Sequence, residues 1–226
     1  KYCTNGDAVY DGDGDPNYVF MKDTLSANAD NISNNNTFNW PVPTNINASK
    51  DVYFVIVDST DPDAKNVTAK VKIAGVLTMD EPDNTPIVER WGVGTNQDIR
   101  WTMVGNVGNV KVEYTKDITA GTVVWETPAI ASSVVGSNLL YQWTNIPTAA
   151  VSAKAAIKVS DFITDSGTAS VVSPLFKIVG TFAPTQPALD NVWKTTGTSG
   201  TLTNPTKNIV WSTQGSIAQA NLVTIP

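Results

Sequence analysis

Histidine is absent from the 226 residues, and cysteine occurs once. Without histidine the chain lacks the commonest general base and a common metal ligand. No Ser-His-Asp or Cys-His arrangement can form. Cys3 has no partner for an intrachain disulfide, although one could lie in sequence outside this chain. Charged residues make up only 16%, below the roughly one quarter usual in globular domains. They sum to −6 and include no Lys/Arg cluster, which argues against nucleic acid as a partner. A net negative surface suits cations, or simply keeps the molecule repulsive and soluble. No run of about 18 apolar residues occurs, so no membrane-spanning helix is expected. Neither a signal peptide nor an initiator Met opens the sequence, which reads as a mature chain or one cut at both ends. Carboxylate pairs could still hydrolyse glycosides, but the acids lie in turns with no sign of a cleft. The chain is not expected to be an enzyme.

What is abundant is Asn, Thr, Ser, Asp and Val, residues of turns and strand surfaces rather than helix interiors. Tyr53-Phe54-Val55-Ile56-Val57 and Ala156-Ile157-Lys158-Val159 read as strands. Val110-Lys111-Val112-Glu113-Tyr114 alternates as a half-buried strand should. Turn clusters such as Asp165-Ser166-Gly167 separate them. Short strands at this spacing predict an all-β fold of immunoglobulin-like sandwiches.

The sequence also repeats itself with a period a little over one hundred residues. Trp40 matches Trp143, Trp91 matches Trp193 and Trp101 matches Trp211. Asp58 matches Asp161, and Lys72-Ile73-Ala74-Gly75 matches Lys177-Ile178-Val179-Gly180. Tyr10 precedes Trp40 by about the interval that separates Tyr114 from Trp143. Recurrence by position favours core packing for these tryptophans. Trp125 has no counterpart and is the better candidate for an exposed aromatic.

The expected organisation is one complete and two partial domains. Residues 1–78 form the C-terminal part of a repeat, 79–86 a linker, 87–180 a complete domain, 181–187 a linker, and 188–226 the N-terminal part of a further repeat. Proline stiffens both linkers. Half a sandwich leaves an edge and an apolar face uncovered. Three arrangements would answer this: adjoining repeats of a longer chain, completion between neighbouring copies, or strands arranged so that these boundaries shift.

Trp91-x-x-Gly94, Ile99-x-Trp101, Val110-Lys111-Val112-Glu113, Tyr141-x-Trp143-x-x-Ile146-Pro147 and Ile157-x-Val159-x-Asp161 together resemble an Ig-like repeat of large prokaryotic cell-surface, S-layer-type proteins. The pattern is also similar to the Kre9/Knh1-type Ig-like module. Asp83-Asn84-Thr85-Pro86 stands where that pattern has a Gly-Gly opening. The resemblance implies spacing, adhesion or lattice building, with no shared catalytic residues.

Three acidic groups invite a cation. Asp11, Asp13 and Asp15 alternate in a Gly-containing loop, an arrangement that can converge on calcium, which takes six to eight hard oxygens. Lys22 stands where an EF-hand would carry Glu, and a solvated hairpin turn is the alternative. Asp80, Glu81 and Asp83 form a second, weaker group in the linker. Asp58, Asp61 and Asp63 form a third, which a turn cap explains equally well. Asn31, Asn35, Asn47 and Asn66 head Asn-x-Ser/Thr sequons, glycosylation sites if the chain is extracellular. The expected role is therefore a structural protein of the cell surface, forming an S-layer lattice or an extracellular filament. Its partners would be copies of itself or adjoining repeats, with calcium as the candidate cofactor. The alternative is an adhesin stalk, or a module that binds cell-wall glycan for a secreted protein.

Overall fold

A computed structural model describes residues 2–3, 11, 16, 18, 36–85, 87–162, 169–187 and 208–223. Regular structure among them is strand, apart from two single turns of 3-10 helix at Gly136–Asn138 and Thr148–Ala150. In chain order the strands are β1 (Tyr2–Cys3), β2 (Ser49–Val57), β3 (Lys65–Val67), β4 (Val71–Ile73), β5 (Val76–Glu81), β6 (Arg90–Gly92), β7 (Gln97–Val104), β8 (Asn109–Thr115), β9 (Ala131–Val135), β10 (Leu140–Trp143), β11 (Ser152–Asp161), β12 (Ser170–Val172), β13 (Phe176–Val179), β14 (Thr181–Gln186) and β15 (Val210–Gln214). The chain is all-β, as its composition predicts.

The middle of the chain, β5 to β13, makes two sheets. One runs β10-β7-β5; the other runs β6-β13-β11-β8-β9, with β12 also on β11. All these pairings are antiparallel except β13 with β6, where Lys177, Ile178 and Val179 lie beside Arg90, Trp91 and Gly92 in parallel. Period-2 alternation aims Val110, Val112 and Tyr114 of β8 and Ala155, Ile157 and Val159 of β11 into one core. Trp91, Ile99, Trp101, Trp143, Phe176 and Ile178 join them there. The indole of Trp91 packs 4.5 Å from the ring of Phe176, and Tyr114 lies 4.8 Å from Trp143. Buried indoles need a hydrogen-bond acceptor. Trp101 Nε1 donates to the Gly136 carbonyl at 3.1 Å, and Trp91 Nε1 to Glu89 Oε2 at 2.8 Å.

The strands before and after this sandwich repeat parts of it in identical register. Ser49 pairs with Ile73 and Val52 with Val71, across a bulge; Ser152 pairs with Ile178 and Ala155 with Phe176, across the same bulge. β3 sits on β2 as β12 sits on β11. β14 and β15 pair as β5 and β7 do, placing Trp211 opposite Pro184 where Trp101 stands opposite Met79.

Two sequence expectations shift. Tyr2, not Tyr10, is the counterpart of Tyr114: Tyr2 pairs with Phe54 as Tyr114 pairs with Ile157. Its ring lies 5.0 Å from Trp40, close to the Tyr114–Trp143 spacing; Tyr10 lies outside the described residues. The expected linkers begin as strands. β5 runs through Glu81 and β14 through Gln186, each pairing with the strand that follows it. Proline is tolerated at the outer edge of a sheet or at a bulge; Pro184 sits on edge strand β14 just before a register shift, as Met79 does on β5. The strand that pairs with β7 thus begins at Val76, ahead of Ile87.

Trp101 is 1% exposed. Trp101→Ala should destabilise the middle sandwich by about 3–5 kcal/mol, read as a lowered midpoint in equilibrium denaturation followed by tryptophan fluorescence.

Candidate functional site at the joints

Each joint between units is made by two glycines. Gly75, just before β5, and Gly105, just after β7, touch: a Cβ built on Gly105 would lie 3.2 Å from the Gly75 Cα. Gly180, just before β14, and Gly215, just after β15, make the same contact at the same 3.2 Å. Gly105 has φ 81° and Gly215 φ 91°, a region that L side chains enter only with strain. A Cβ on Gly75 would overlap Val107, and one on Gly180 would lie 2.7 Å from Ile217 Cδ1. After each glycine turn the chain closes alike. Val107 N–H donates to the Gly105 carbonyl at 3.2 Å, and Ile217 N–H to the Gly215 carbonyl at 3.0 Å.

The first joint carries further bonds. Gly105 N–H donates to the Thr44 carbonyl and Asn106 N–H to the Ile46 carbonyl, both at 2.8 Å, and Ala48 N–H returns to the Asn106 carbonyl at 3.0 Å. Asn106 Nδ2 donates to Asn47 Oδ1 at 2.6 Å. Backbone bonds of this kind fix orientation, because each is directional.

Beyond β5, three carboxylates converge. Ligand oxygens of Glu81, Asp83 and Glu89 all lie within 4.8 Å of one another. Asn84, at φ 63°, reverses the chain between them. Its Nδ2 donates to the Leu175 carbonyl, and its Oδ1 accepts from Glu89 N–H at 2.9 Å. Glu89 in turn accepts from Asp83 N–H at 2.9 Å and from the Trp91 indole. Sharing a proton with Glu89 pushes Glu81 up to about 7, helped by burial and by the charges of Glu89 and Asp83, and opposed by Arg100.

The sequence named two of these three acids. Asp80, the third it grouped there, points elsewhere and accepts from Thr102 Oγ1 at 3.5 Å. Glu89 escaped notice because the Asn84 reversal, not sequence adjacency, brings it back. Asp11 is exposed, while Asp13 and Asp15 lie outside the described residues. Asp58 forms a turn cap, accepting from Thr60 N–H at 2.7 Å, from Thr60 Oγ1 and from Asp61 N–H. Those bonds hold it below its ordinary value. Asn47 lies in the first joint and Asn66 on β3, both exposed; Asn31 and Asn35 lie outside the described residues. Trp125 is half-buried, with the Lys158 ammonium 4.3 Å from its ring centroid. Lys158 also pairs with Glu113 at 2.7 Å, and Lys111 reaches the same carboxylate at 2.6 Å. No protein-family model and no curated protein matches the chain.

Two outcomes follow. Gly105→Ala should cost about 1–2 kcal/mol from its left-handed backbone, seen as a lowered melting temperature. Glu81 binds its proton more tightly in the folded chain than its ordinary 4.5. Stability should therefore be highest below that value and fall as pH rises toward about 7. In metal-free buffer the melting temperature should drop across this window, and Glu81→Gln should flatten the drop.

Proposed function

We propose that this chain is a stretch of immunoglobulin-like repeats from an extracellular structural protein, and that such repeats build an S-layer lattice or filament at the cell surface. One observation carries the reading: the glycine joint occurs twice with the same contact, and its second glycine has a positive φ in both cases. A recurring glycine contact would hold successive units in similar relations, which is what a regular array requires. In immunoglobulin nomenclature the two sheets read E-B-A and A′-G-F-C-C′, which supports the sandwich assignment.

Calcium belongs to this reading as a stiffener of the loop that follows β5, at the end of that strand away from the first joint. Glu81, Asp83 and Glu89 offer only hard oxygens, the donors calcium takes, and water would complete six to eight ligands. Bound there, the ion would take the place of the proton that Glu81 shares with Glu89. The glycan-binding alternative calls for an open aromatic row, whereas Trp125 has Lys158 over one face.

The test is electron microscopy of the purified protein with calcium and with chelator, together with immunogold labelling of intact cells. Ordered arrays that loosen on chelation, and label at the cell exterior, are expected. Particles that remain single in both conditions, or label confined to the cell interior, would remove the reading. Calcium should also raise the melting temperature near pH 7 in the parent chain but not in Glu81→Gln.

A further inference from the structure

Among the described residues, the two outer units present complementary exposed faces. In the middle sandwich Val159 is 0% exposed and Phe176 0%; their counterparts Ile56 and Val71 in the first unit are 74% and 37% exposed. Phe54 and Trp40, counterparts of the buried Ile157 and Trp143, are only half-buried, with their rings 5.5 Å apart. The last unit shows the converse. Leu77, Ile99 and Trp101 are 6%, 0% and 1% exposed, whereas Phe182, Ile209 and Trp211 are 47%, 42% and 36% exposed. In the middle sandwich the β5–β7 pair lies over the β11-centred sheet. The first unit has the counterpart of the covered sheet, and the last unit has the counterpart of the covering pair, in unchanged register. Among the described residues, no strand lies over the open face of the first unit.

Cis closure meets a geometric obstacle. The first joint gathers at Gly105, beyond the C-terminal end of β7. The second gathers near Gly94, before its N-terminal end, where Gln214 approaches Gly94 and Val151 approaches Gly215. The two open faces thus belong to opposite ends of the middle sandwich.

We propose that the β14–β15 hairpin of one copy closes the β1–β2–β4 face of a second copy, with Trp211, Ile209 and Phe182 set against Trp40, Phe54 and Ile56. This rests on the array reading and names its contact. The contact is heterologous, so it propagates head to tail into an open filament rather than closing as a symmetric dimer.

The faces can be disabled separately. Trp211→Asp disables the donor and Ile56→Asp the acceptor; both positions are open enough that the middle sandwich should keep its melting temperature. Light scattering coupled to size exclusion is expected to show concentration-dependent oligomers for the 226-residue chain and monomers for each variant. An equimolar mixture of the two variants should give one-to-one dimers and nothing larger, since only one intact donor meets one intact acceptor. A parent chain that stays monomeric up to about 100-fold concentration would overturn the proposal, and would assign the face to a preceding repeat of the same polypeptide. Variants that assemble as well as the parent would also overturn it, while leaving an array through other surfaces standing. Variants that are monomeric alone and fail to pair when mixed would overturn it as well.

Discussion

A sheet with apolar side chains on one face is stable only when a second sheet covers them, and the rest of this molecule is arranged around that requirement. In the middle unit it is met by β5, β7 and β10 lying over the six-stranded sheet, with Trp101, Trp143 and Phe176 between them. The same side-chain positions recur on either side, open to solvent to different degrees. Register and bulges recur between units even where the covering layer differs, so each outer unit keeps the geometry of the matching part of the middle unit.

Orientation is governed by backbone rather than side chains. A glycine pressed on a glycine leaves no room for a Cβ at either joint, so neighbouring units approach more closely than any other residue allows. The bonds from Gly105 and Asn106 to Thr44 and Ile46 then fix rotation about the contact. The acidic group lies a strand away, on the loop that follows β5. A charge change there acts on the edge strand that leads directly from the joint.

Much of this was legible in the sequence, and what was not has identifiable physical causes. Recurring tryptophans and period-2 alternation marked the strands and the core, because both are local consequences of burying one face. The all-β class followed from the same pattern. Proline clusters at Pro82 and Pro184 resemble breaks, yet Pro184 lies within edge strand β14 and Pro82 directly follows edge strand β5. Gly105 and Gly215 each follow a matched tryptophan by four residues, a signal that was present but carried no meaning until their partners Gly75 and Gly180 were in contact with them. Tyr2 was passed over for Tyr10 because counting from Trp40 assumes equal connections, whereas strand pairing does not. Glu89 belongs to the acidic group only through the reversal at Asn84.

The parallel pairing of β6 with β13 has a mechanical meaning. β6 lies near the start of the middle unit and β13 at its end, leading straight into Gly180. Tension along the polypeptide would draw the two strands past each other lengthwise. The bonds from Val93 N–H to the Val179 carbonyl and from Lys177 N–H to the Glu89 carbonyl would share that load and yield together, not one after another. A unit clamped in this way would resist stretching through all of these bonds at once.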